Sequence, residues 1–205
     1  MPGISGFSPW GGDGKQDLNS HEGLKRAGQL SADLAEKAER DGYDAFCPYG
    51  VLDIGVPEAR ARVKIPVVGQ AEAVLLYCGL LNQPFGSCFY MPGGDERVHG
   101  WAVAAGVAHL HVAHTAIGIP NSEYPQRRAE VKERFVACAQ EAKSKGAALM
   151  GLIAMSICPG EFPSKELSEA ADFPVLDALA CQIAMAEWWH RTGLSPSLLN
   201  MKRSS

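Results

Sequence analysis

The feature that most constrains this chain is a regular alternation: short β-branched or apolar runs exchange with longer stretches of helical periodicity. Asn19 can cap a helix with Glu22 at capping-box spacing, and Leu24, Ala27, Leu30, Leu34, Ala35 and Ala38 follow at helical intervals. Gly23 and Gly28 weaken its first turns, and Gly42 ends it. Residues 43–49 then read as a short buried strand. Pro57 suits the first position of a helix reaching about Val63, residues 65–68 form a β-branched strand, and residues 72–81 an apolar helix. Residues 84–90 are a further strand, followed by the turn Pro92-Gly93-Gly94-Asp95, and residues 107–113 alternate in strand fashion. Pro125 opens a long helix with Val131, Phe135, Cys138, Ala139 and Ala142 on one face and Gly146 past its end. Residues 149–154 have buried-strand length and residues 173–176 form a short strand. Asp177 caps a last helix that carries Trp188 and Trp189, read as core and lobe-contact residues, and stops at Gly193. Residues 1–18 read as loop, with 3–9 a strand candidate.

Such alternation predicts an α/β fold with right-handed crossovers and mainly parallel sheets. Parallel sheets open their ligand crevices at the carboxyl ends of strands, which directs attention to the loops after Tyr49, Tyr90, Ala113 and Ala154.

An internal echo sharpens the expectation. Residues 41–69 run strand, Cys47-Pro48, loop, helix, Ile65-Pro66-Val67-Val68; residues 146–176 run strand, Cys158-Pro159, loop, helix, Phe173-Pro174-Val175-Leu176. The two copies suggest pseudo-symmetric lobes facing one cleft, the first made of residues 1–82 with 177–205 and the second of 83–176. Chance similarity between two strand–helix–strand units is the alternative.

Bulk properties exclude several classes of partner. The 205 residues carry a formal net charge of −4, and basic residues adjoin only in pairs, such as Arg127-Arg128, so no nucleic-acid surface is expected. No apolar run approaches membrane-spanning length and residues 1–14 lack a signal-peptide pattern, so a cytoplasmic protein with reduced thiols is expected. The six cysteines include no Cys-x-x-Cys pair, and no phosphate-binding loop, dinucleotide fingerprint or nucleophile elbow is present.

Cys47 and Cys158 each lie at or just past a strand end and precede a proline, in matching places of the two halves. A thiol beside a helix N-terminus can be tuned to exchange protons, and two thiols on opposite faces of a flat intermediate could remove and return one; the bland reading is two buried apolar side chains. Ser156 and Thr115 stand in candidate crevice loops where hydroxyls could hold a carboxylate, and Tyr49, Tyr90 and Asp53 have similar claims, although most loop hydroxyls only cap turns. His109, His111 and His114 form a His-x-His-x-x-His run whose first two members would share a strand face. No carboxylate stands nearby in sequence to complete a ligand set, so no metal site is expected.

The segment Gly50-Val-Leu-Asp53-Ile-Gly55-Val-Pro-Glu-Ala59-Arg60, followed by Ile65-Pro66-Val67-Val68-Gly69-Gln-Ala71-Glu72-Ala73, resembles the aspartate/glutamate/hydantoin racemase superfamily. Gly146-Ala147, residues 149–154, Glu166-Leu167, Pro174-Val175-Leu176-Asp177 and Ala186-Glu187 look like its second half, closest to hydantoin racemases. The resemblance covers residues 41–187. It implies two lobes with four-stranded sheets flanked by helices and a cleft between them. It also implies cofactor-independent proton transfer at a carbon beside a carboxylate or carbonyl; the echo adds Cys47 and Cys158 as the expected acid/base pair for a small carboxylate or cyclic imide. Tyr49, Gly50, Asp53, Tyr90, Thr115 and Ser156 would line that pocket. Whether a second subunit completes it is left open.

The chain departs from such racemases at the cysteines. Counting back from Pro66 places Gly50 at the first cysteine position; counting forward from Gly146 lands on Ala154, and counting back from Pro174 lands on Ile157, one step from Cys158. A glycine at the first position with one cysteine in the second half looks like arylmalonate decarboxylase of the same superfamily. That type expels a carboxylate as CO2 and reprotonates the enolate with a single thiol. A protein that kept the pocket and lost the chemistry is the third expectation.

Overall fold

The computed structural model describes residues 21–50, 52–90 and 92–204. The proposed cap Asn19 and strand 3–9 lie outside them. The chain divides into two compact units, the described parts being 21–49, 53–68 and 185–204 for the first, and 50–52 with 69–184 for the second. Compared with the boundaries expected from sequence, residues 50–52, 69–82 and 177–184 join the second unit.

In the first unit, helix α1 (His21–Arg40) carries Ala27, Ala32 and Ala35 inward, and α2 (Val56–Arg60) meets it with Val56 and Ala59. Small side chains on both helices allow close approach. Gly55 limits how close: at φ 79° it begins α2, and a Cβ there would stand 2.5 Å from the Ser31 Cβ and 2.8 Å from the Gly28 carbonyl oxygen. Two polar clasps tie the following turn to α1. Arg62 donates to Asp33 at 2.7 Å, and Glu39 accepts the Lys64 and Ile65 backbone N–H groups at 2.6 and 3.1 Å. Helix α8 (Pro196–Ser204), which has no counterpart in the sequence reading, packs with α2.

The second unit is built on a three-stranded parallel sheet in the order β2-β1-β3, with β1 Phe85–Phe89, β2 His111–Ala116 and β3 Leu149–Ile153. All residues of β1 and β3 are buried, as continuous apolar strands covered on both faces should be. Helices α3 (Gln70–Leu81), α5 (Arg128–Ser144) and α6 (Ser164–Ala171) follow the predicted order. Helix α4 (Asp95–Ala104) begins on the last residue of the expected turn and has no counterpart in the sequence reading, and Pro125 lies in a 3-10 segment (Asn121–Gln126) ahead of α5. Asp177 caps α7 (Ala178–Thr192), accepting the Ala180 N–H at 3.0 Å. Trp188 at 58% exposure is a surface residue, which corrects its assignment to the core, while Trp189 lies under the Arg60 guanidinium at 5.5 Å.

Four-stranded sheets are not what forms among the described residues. The expected strands at 43–49, 65–68 and 173–176 shrink to single parallel bridges, Phe46 with Val67 and Met150 with Val175. The reason is proline, which has no N–H to extend a ladder. The two bridges have the same geometry: Phe46 N–H donates to the Pro66 carbonyl at 2.8 Å and Val68 N–H returns to Phe46 at 3.0 Å, while Met150 donates to Pro174 at 2.8 Å and Leu176 returns to Met150 at 2.9 Å. The sequence echo is therefore a repeated structural unit.

That repeat also corrects one inference. With Phe46 equivalent to Met150, Gly50 is equivalent to Ala154, and Cys47 is equivalent to Gly151. Cys47 and Cys158 do not occupy matching places; their shared Cys-Pro dipeptide falls at different distances from the bridge.

Candidate active site

In the second unit the carboxyl ends of the strands lead to Tyr90, Ile117 and Ala154. Ala154 follows β3 directly, and its N–H donates to the Cys88 carbonyl at 3.0 Å. Residues 154–162 then wind into tight turns, in which Ile157 and Cys158 both donate to the Ala154 carbonyl, at 2.8 and 3.1 Å. Cys158 thus lies one helical turn beyond the strand end, and the Cys158–Pro159 peptide is cis. Gly160 is required here, since a Cβ would lie 2.4 Å from the Met155 carbonyl oxygen.

Cys158 is fully buried in the apolar cluster of the second unit. Burial, with the Asp177 carboxylate adding to it, pushes its thiol up to about 12. Cys47, in the first unit, is half-buried, and desolvation likewise pushes it up to about 12. At neutral pH both are thiols able to donate a proton, and neither is a resting base. Ser156 is half-buried, and the buried Tyr124 phenol is raised by desolvation. Tyr90 is 41% exposed at the end of β1. Thr115 is buried and donates its hydroxyl proton to the Ser87 carbonyl at 2.8 Å. Gly50 and Asp53 hold left-handed conformations at φ 143° and 50°, and Tyr49 is exposed.

One constellation was not legible in the sequence, and a second was legible only in part. Cys88 on β1 and Cys138 on α5 interact beside Thr115, which raises Cys88 and lowers Cys138; the Cys88 thiol faces the Phe89 carbonyl at 3.9 Å and the Cys138 thiol the Ala116 carbonyl at 3.5 Å. Fifty residues separate them in sequence, so spacing carries no hint. The second is the histidine run. His109 belongs to a 3-10 turn (Ala108–Leu110), and an irregularity between the Phe85–His111 and Gly86–Ala113 pairs leaves His111 and His114 sharing one partner, Ser87. Asp95, at the start of α4, supplies the carboxylate expected to be missing. Burial lowers both imidazoles, and Asp95 opposes that shift.

Comparison with known proteins agrees with this architecture. The family model described as Asp/Glu/hydantoin racemase matches residues 9–186. The chain belongs to that family. As a racemase-family chain it shares its fold with allantoin racemase from Pseudomonas fluorescens, with a TM-score of 0.80, 17% identity, and coverage of 96% of this chain and 83% of the other. Allantoin racemase from Klebsiella pneumoniae aligns with a TM-score of 0.73 at 19% identity, covering 88% and 73%. Arylmalonate decarboxylase aligns with a TM-score of 0.59 at 15% identity, covering 82% and 78%. No curated protein matches by sequence. Among the described residues no helix is long and apolar enough to cross a membrane.

Proposed function

We propose that this racemase-family protein is an isomerase that moves a proton at the carbon beside the carbonyl of a small cyclic imide, ureide or carboxylate, without a cofactor. The observation that supports it is family membership over residues 9–186, together with a β3 strand end whose following turns carry Ser156 and Cys158. In this reading Cys158 and Cys47 are the two thiols, and Cys158, fully buried at rest, delivers its proton once substrate displaces the residues that cover it. Gly50, Tyr90, Thr115 and Ser156, with Tyr49 and Asp53, border the substrate.

The acidity of the thiols makes the reading specific. Stereoinversion needs one thiolate to abstract a proton while the other thiol donates. With both thiols pushed up to about 12, the thiolate is scarce at neutral pH. Exchange of the substrate proton for deuterium in heavy water should therefore accelerate roughly tenfold per pH unit from 7 to 10. The measurement is deuterium incorporation into allantoin, 5-substituted hydantoins and aspartate, followed by NMR. No incorporation into any of them at any pH would sink the isomerase reading.

A second reading is a lyase. Gly50 at the first cysteine position, and a Cys158 thiol already protonated, suit decarboxylation of an activated malonate followed by proton delivery. Its rate would be flat from pH 7 to 10, because the protonated thiol is the working form. CO2 release that survives Cys158→Ala would exclude that route.

A further inference from the structure

We propose that Asp95, His111 and His114 form a binding site for a divalent first-row transition cation such as Zn2+. One potential ligand atom from each lies within 4.8 Å of the other two. They line a cavity of about 330 Å³ in the second unit, together with His99, Val112, Ala113 and Lys145. Two imidazoles and one carboxylate suit Zn2+, Ni2+, Fe2+ or Co2+, and leave coordination positions open toward that cavity for water or a small oxyanion.

The arrangement is built from three elements, β1, β2 and the start of α4. Ser87 Oγ on β1 is 2.9 Å from His111 Nε2 and 2.8 Å from His114 Nδ1, and 3.3 Å from the Ala113 carbonyl oxygen. A hydroxyl has two lone pairs and one proton. If it donates to Ala113, it accepts an N–H from each ring, and each imidazole keeps its other nitrogen as a lone pair. That is the outer-shell arrangement which orients metal-bound histidines. His114 Nε2 is buried and makes no hydrogen bond. Each ring is also held by an aromatic neighbour, His111 by Phe85 at 5.3 Å between centroids and His114 by Phe89, edge-on, at 5.2 Å.

Gly94 completes the assembly. A Cβ there would lie 2.8 Å from Phe89 Cδ2 and 3.1 Å from the His114 ring. Only glycine lets the start of α4 settle against His114, and this approach brings exposed Asp95 to the two rings. The lining of this cavity includes none of Tyr90, Ser156 and Cys158, and the inference does not depend on the proton-transfer chemistry.

The test is titration of chelator-treated, full-length protein with Co2+, read by calorimetry and by the visible absorption of bound cobalt. One equivalent should bind with a spectrum free of sulfur-to-cobalt charge transfer. Asp95→Asn, a change at an exposed position, should weaken binding roughly 10–100-fold, as should Ser87→Ala; His111→Ala should abolish it. Zn2+ should compete for the same equivalent and raise the melting temperature of the native chain but not of the His111→Ala variant. Three results would overturn the assignment: no binding, a thiolate spectrum marking the cysteines as ligands, or Co2+ affinity unchanged in both Asp95→Asn and His111→Ala.

Discussion

Individual residues fix how closely the backbone segments of each unit approach. Gly55 is the sharpest case, combining a positive φ with a Cβ position already occupied by Ser31 and the Gly28 carbonyl. Gly55→Ala should lower stability by about 2 kcal/mol or more, measured as a shift in the urea midpoint at unchanged slope. Gly42, also at positive φ but with open space around its Cβ position, provides the comparison; Gly42→Ala meets the φ penalty alone and should cost only about 1 kcal/mol. Equal losses at the two positions would show that crowding against α1 plays no part.

At the scale of elements, caps and prolines set where each segment begins and ends. Asp177 both caps α7 and raises the Cys158 thiol. Asp177→Ala should cost about 1 kcal/mol of stability, whereas Asp177→Asn, which keeps a side-chain oxygen for the Ala180 N–H, should cost only a few tenths. Thermal unfolding of both variants distinguishes the cap from the charge: equal losses would mean that the carboxylate's charge, and not its hydrogen bond, holds the helix start. The proline bridges act in the opposite sense. Pro66 and Pro174 each accept one bond through their carbonyl and cannot donate, so the adjacent chain pairs once and the ladder goes no further.

Across the whole molecule, buried thiols tie stability to pH. Cys78 and Cys158 are fully buried, and desolvation moves each from 9.0 to about 12. Cys181 adds to the shift at Cys78, and Asp177 to that at Cys158. A group raised in the folded state favours folding fully below its unfolded value and loses that contribution as pH climbs toward the folded one. Stability should therefore be independent of these thiols below about pH 8 and fall between 9 and 12, by up to about 4 kcal/mol for each. Denaturant midpoints followed by circular dichroism across pH 7 to 11 measure the effect; a flat profile above pH 9 would mean that these thiols are not desolvated.

The order of elements was written in the sequence because helical periodicity and buried apolar runs are local signals. α1, α3, α5, β1 and β3 stand close to where spacing places them, and the family strings around residues 50–73 and 146–177 needed no coordinates. The repeat was visible too, as paired Pro-Val strings, though not its register: only the bridges Phe46–Val67 and Met150–Val175 show that Gly50 pairs with Ala154 and separate Cys47 from Cys158. Helix α4 escaped notice because its Gly-Gly lead-in reads as a turn, and with it went Asp95. Burial and non-local approach belong to the folded chain alone. An irregular strand pairing turns two histidines toward one serine, a glycine admits a carboxylate from a helix 16 residues earlier than His111, and packing keeps the Cys158 thiol protonated.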